Sequence, residues 1–183
     1  MNIGGKKKMN KFKLLSVSSL VLLGTVVPAS ASTTVKIETK ATQMNVTVPS
    51  TIEFIFNEDG TNTVPTNFDI TNNSQIARVS LVKADLSAQT SQWRLLPESA
   101  NTKLLPVDSK DIQFYLGLQG QEKLANPGTD VNSDGQTVWE NGEISIDPEK
   151  TQNIAFKVNR GAFNTAQSSA KAFDMTLTFA FNQ

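Results

Sequence analysis

The chain predicts an all-β fold, a single antiparallel β-sandwich of the immunoglobulin-like or jelly-roll-like kind with eight or nine strands. Three features of its 183 residues carry that expectation. Apolar residues recur with a period of two, which puts alternate side chains on one face of a pleated strand. The runs are short and end at Gly, Pro, Asn or Asp, the residues that supply turn conformations. Beyond the N-terminus no segment holds a sustained 3.6-residue apolar stripe, so helix has no support.

The first segment is of another kind. Lys6, Lys7, Lys8, Lys11 and Lys13 precede an uncharged stretch, residues 14–27, and Pro28 then leads into Ala29-Ser30-Ala31. A basic flank, an apolar core and small residues at a cleavage site make a signal peptide. Cleavage is expected after Ala31, leaving residues 32–183 as the domain; Met9 is an alternative start that keeps the whole signal. The apolar stretch is shorter than the roughly 20 residues a spanning helix needs, and Ser16, Ser18, Ser19 and Gly24 interrupt it. The expected product is secreted and extracellular, with no transmembrane anchor.

Strands follow in order. Met44, Val46 and Val48 alternate with polar residues up to Pro49, and Ile52, Phe54 and Phe56 do so up to Asn57-Glu58-Asp59-Gly60. Phe68-Asp69-Ile70, the turn cluster 71–74 and the apolar climb 76–86 predict a hairpin. Further strands are expected at 92–96, 111–118, 143–146, 153–158 and 173–181, where Met175, Leu177, Phe179 and Phe181 share a face. Sandwich sheets need this alternation because their two inner faces share one core. A closed barrel is the alternative closure.

Charge and composition narrow the function. Residues 1–31 hold five of the 17 basic residues and no acid, so the remaining chain carries 12 bases against 17 acids, a net of −5. A mildly acidic surface is unsuited to phosphate contact, so no nucleic acid is expected as a partner. The chain has no Cys and no His. That removes Ser-His-Asp and Cys-His nucleophile pairs, imidazole-ligated zinc and thiolate clusters, and neither a G-x-S-x-G elbow nor a phosphate-binding glycine loop is present. Ser169 and Lys171 lie in a polar run and read as loop. The expectation is a protein that is not an enzyme and has no catalytic residues.

One segment carries ligand chemistry. Asp130, Asn132 and Asp134 place side-chain oxygens at alternate positions before Gly135, the way a short loop wraps calcium. A carbonyl near Gln136 and the carboxylate of Glu140, or of Glu143, would complete the shell, since the twelfth loop position is Asn141. The same residues also make an ordinary solvated turn. Calcium is the one cofactor the sequence suggests.

Trp93-Arg94-Leu95 allows two readings as well. A strand tryptophan belongs in a core, where its large ring is most stable. The tripeptide also resembles the first motif of the WxL-type surface proteins of Gram-positive bacteria. Leu177, Phe179 and Phe181 stand where a second motif would lie, with Phe179 in place of tryptophan and Phe181 in place of leucine. The resemblance implies a wall-associated binding or adhesion module whose partners are a cell-wall polymer or other surface proteins. Residues 67–74 and the strand after them resemble the TasA and camelysin sort of biofilm matrix subunit. That resemblance implies self-association into fibres by strand donation, with the alternating stretch 33–40 as donor; the same stretch also reads as the domain's own first strand. No sortase-type L-P-x-T-G signal occurs, so wall retention is expected to be noncovalent or absent.

Overall fold

The computed structural model describes residues 37, 42–87, 92–127, 134–166 and 171–182. The expected signal peptide, the stretch 33–40 apart from Ile37, and Asp130 and Asn132 lie outside the described residues. The chain divides into two compact units, Met1–Thr39 and Lys40–Gln183, and the strands of the described residues belong to the second. Among the described residues no helix is long and apolar enough to cross a membrane.

The fold is all-β, as the alternation predicts, but the described residues form 14 strands in place of eight or nine. Two sheets hold most of the core. The first centres on β5 (Val79–Ser87), which pairs along one edge with β14 (Asp174–Phe181) and along the other with β10 (Gly135–Val138) and β11 (Ile144–Ile146) in succession. The second centres on β7 (Asp111–Gly117), flanked by β13 (Ala155–Arg160) on one edge and by β6 (Arg94–Leu95) and β8 (Lys123–Leu124) on the other. The chain after β8 continues into β9 (Asn126–Pro127), which pairs with β10, so residues 123–127 tie the two sheets together.

A smaller sheet of β1 (Val46–Thr47), β4 (Asp69–Asn72) and β12 (Thr151–Asn153) continues the sandwich, and β2 (Ile55–Phe56) and β3 (Asn62–Thr63) form a hairpin. Gly60, at φ +83°, makes the turn of that hairpin, a conformation that disfavours any residue with a Cβ. The core is the expected alternating set: Ile112, Phe114 and Leu116 from β7, Phe156 and Val158 from β13, and Val79, Leu81, Ala84 and Leu86 from β5.

The phase of β5 changes between Leu81 and Ala84. The register with β14 skips Val82, so Thr178 pairs with Lys83 and Phe179 with Leu81. This extra residue is a β-bulge, which turns both halves of one strand inward although their spacing is three. The Val82 carbonyl is still used, accepting the Trp139 N–H at 2.9 Å.

Two expectations are corrected. The run 68–86 is no hairpin, because β4 pairs with β1 and β12 while β5 belongs to another sheet. Asn72 decides this: fully buried, it donates through Nδ2 to the carbonyls of Ala77 and Ile146 and accepts from the Ser74 N–H, locking a corner between sheets. One strand pair is also parallel, β6 on β7, with residues 96–110 as the crossover that a parallel pair requires. This crossover, which includes the 3-10 helix Thr102–Leu104, is held against the outer face of β7 by Gln113. The Gln113 amide donates to the carbonyls of Pro97, Glu98 and Ala100 at 2.9–3.2 Å.

Candidate functional site

Leu95 and Arg94 of the Trp-x-Leu tripeptide lie in β6, at the rim of the second sheet. Leu95 pairs with Ile112 and turns inward, where it is 5% exposed. Arg94 pairs with Asp111 and faces the other way. Its Nε and Nη2 bind the two Asp111 oxygens at 2.6 and 2.7 Å, a bidentate pair that fixes the parallel register. The Ser109 hydroxyl donates to the same carboxylate at 2.8 Å. Hydrogen bonding from Arg94 holds the Asp111 carboxyl below the usual range, against the opposing effect of burial.

Trp93 is half-buried: it packs against the core cluster without being enclosed by it. Its ring lies 5.8 Å from Phe56 and 6.2 Å from Phe163, and Phe56 stacks on Phe163 at 6.0 Å. Arg160 completes the group, with its guanidinium 4.9 Å from the Phe56 ring and 5.5 Å from that of Phe163. Its nitrogens donate to Asn62 Oδ1 and to the carbonyls of Gly161, Asn57 and Thr61, which ties the β2–β3 turn to the end of β13. Burial lowers the Arg160 pKa, since these acceptors are neutral and only Asp59 opposes the shift.

The second half of the sequence motif lies in β14. Leu177 and Phe179 are half-buried against the core, but Phe181 is 37% exposed at the end of the strand. The shared face is as expected, since their β5 partners Ala84, Leu81 and Val79 all point inward. Among the described ring pairs none joins Trp93 to Phe179 or Phe181, so the two motif segments do not meet through their rings.

The loop residues expected to hold calcium are dispersed where they are described. Gly135 and Gln136 belong to β10, in the ladder between β5 and β9. Gly135 has no positive φ; it is small because a Cβ there would run into Leu95 Cδ1 and lie 3.1 Å from the Ala125 carbonyl. Gln136 donates through Nε2 to Asp85 at 2.9 Å, and the Ser87 hydroxyl donates to Asp134 at 3.0 Å. Glu140 lies past the other end of β10, where its N–H donates to Glu143, whose second partner is Lys123. Among the described residues no three acidic side chains converge on a metal position.

Asp134 and Gln136 line an open cleft of about 1030 Å³ with Asp85, Glu98, Tyr115 and Lys123. Burial opposes ionisation of Asp85, but hydrogen bonds from Gln136 and Lys83 outweigh it and lower its pKa. Burial, and then the charge of Glu98, raise the Tyr115 pKa.

Sequence reasoning passed over Asp111, Arg160 and Phe163, and above all Trp139, which is 3% exposed and is the core tryptophan. Trp139 directly follows the alternating Thr137-Val138 pair, and that alternation was the available signal. The chain matches no protein-family model, no curated protein and no solved structure.

Proposed function

We propose that this chain is a secreted, non-catalytic bacterial surface protein whose domain is a wall-associated binding module of WxL-like type. The supporting observation is the division of roles within Trp93-Arg94-Leu95. Leu95 is anchored in the core and Arg94 is held by Asp111, so the tripeptide's backbone is fixed at the rim while Trp93 is only partly buried. A fixed, partly buried tryptophan beside other rings suits the apolar C–H face of a wall sugar, because an aromatic ring held in place loses little entropy on contact. The N-terminal leader supports export. The lack of His and Cys supports a role in binding, not catalysis.

Two measurements test the reading. Protein recovered from the producing cell's surface or medium should have the mass of residues 32–183. It should also sediment with purified peptidoglycan, and Trp93→Ala should weaken this about tenfold, the effect of losing roughly 1.4 kcal/mol of contact, while its circular dichroism stays β-type. Failure to sediment, or full binding by Trp93→Ala, rules the proposal out.

A further inference from the structure

β5 and β14 run side by side but differ in what lies beyond them. β5 is bonded along both edges. Among the described residues the backbone of β14 is bonded to β5, and its one other backbone hydrogen bond is from Asn141 Nδ2 to the Phe181 carbonyl at the strand's end. An unpaired row of N–H and C=O groups is a template for another strand, and proteins blunt such edges with lysine, proline, bulges or shortness. Other outer strands here are blunted. β1, β6, β8 and β9 have two residues, β11 and β12 three, β9 ends in Pro127, and β13 has its Val158 carbonyl taken by Asn62. β14 has no lysine, no proline and no bulge of its own. Its single charge, Asp174, sits at the first position in an ion pair with Lys171 at 2.7 Å.

The sequence of β14 also selects its partner. Read about Thr178, the strand is close to a palindrome in chemistry: Leu177 mirrors Phe179, Thr176 mirrors Ala180, and Met175 mirrors Phe181. We infer that β14 is the interface for a second copy of this chain, pairing antiparallel with the partner's β14 about a two-fold axis at Thr178. In that register Leu177 faces the partner's Phe179 and Met175 faces the partner's Phe181 on the inner face, while the two Thr178 side chains meet on the outer face. Apolar and Thr–Thr cross-strand pairs of this kind stabilise a sheet, and no like charges are opposed, because Asp174 meets Asn182. The pairing covers the face on which Met175, Leu177 and Phe179 are only half-buried and Phe181 is 37% exposed. It uses the same surface on both copies, so it closes as a dimer and does not propagate.

The register makes the inference testable by cysteine placement, since the chain has no cysteine of its own. Residues directly opposed across an antiparallel pair have Cβ atoms about 4.5–5.5 Å apart, close to disulfide geometry. In the full chain, Thr178→Cys should give a disulfide-linked dimer on mild oxidation, and Thr176→Cys, which faces Ala180, should not. Light scattering across a dilution series should show wild type as a dimer and Thr178→Lys, which sets two ammonium groups against each other on the axis, as a monomer with unchanged circular dichroism. A monomeric wild type, or equal cross-linking at both positions, overturns the inference. Loss of the dimer in a Val35→Pro, Ile37→Pro chain overturns it too, by assigning the β14 edge to the N-terminal stretch.

Discussion

Trp139 and Trp93 bring the same side chain into two unlike settings. Trp139 follows β10 where that strand lies against the bulge of β5; its N–H is bonded to Val82, and its ring is buried with Leu81, Ile144 and the rest of the core cluster. Trp93 precedes the two-residue β6 at the rim of the other sheet, and its ring is covered on the sides that Phe56 and Phe163 supply. Strands on both sides of a residue give its side chain a complete apolar shell, whereas a rim strand gives part of one. Trp139 therefore belongs wholly to the core and Trp93 to its edge.

The largest expected effect tests this directly. Trp139→Ala should destabilise the domain by about 3–5 kcal/mol, the range for emptying a buried aromatic site. Trp93→Ala should lose about 1–2 kcal/mol, as a partly buried ring removes less area from water. Urea unfolding of both variants provides the comparison, and equal losses would break it. Acrylamide should quench Trp93 fluorescence and spare Trp139.

The second effect concerns what holds the rim in place. The folded-state pKa of Asp111 is lowered by Arg94, so the pair's stabilisation is complete above the unfolded value of about 3.9 and is lost as pH falls through the folded value. Asp111→Asn should cost about 1.5–3 kcal/mol at neutral pH, in the range of hydrogen bonds to charged groups. Melts of the two proteins should converge below pH 3.9, and a gap that persists unchanged there would show that the carboxylate's charge is not what matters. Gly135→Ala, which presses on Leu95 from the opposite sheet, should cost about 1–2 kcal/mol as an overpacking change.

The smallest effect concerns the loop ahead of β10. If calcium binds at Asp130, Asn132 and Asp134, affinity should be about 10⁻⁴–10⁻³ M, typical of extracellular modules. The melting temperature should then rise with calcium by mass action, and Asp130→Ala with Asp134→Ala should abolish the rise. A melt indifferent to calcium and chelator leaves residues 130–135 as a turn.

The fold class was legible in the amino-acid sequence because alternation is a local property: Met175 to Phe181, Ile112 to Leu116 and Phe156 to Val158 each announce a face by spacing alone. The turn at Gly60 was legible for the same reason. Other features could not be read locally. The short strands β8, β9 and β12 have too few residues to display a period, and they form because a longer strand offers them an edge. The bulge at Val82 breaks the spacing that alternation relies on, so its effect shows only when β14 is laid beside it. Asp130 to Gly135 fits a cation loop by composition, yet Gly135 is small because Leu95, 40 positions earlier in the chain, packs against it. Which tryptophan is core was decided in the same way. Both are large apolar rings, and the sequence determines that each favours burial; only the arrangement of sheets, through contacts between distant segments, determines which one has neighbours on every side.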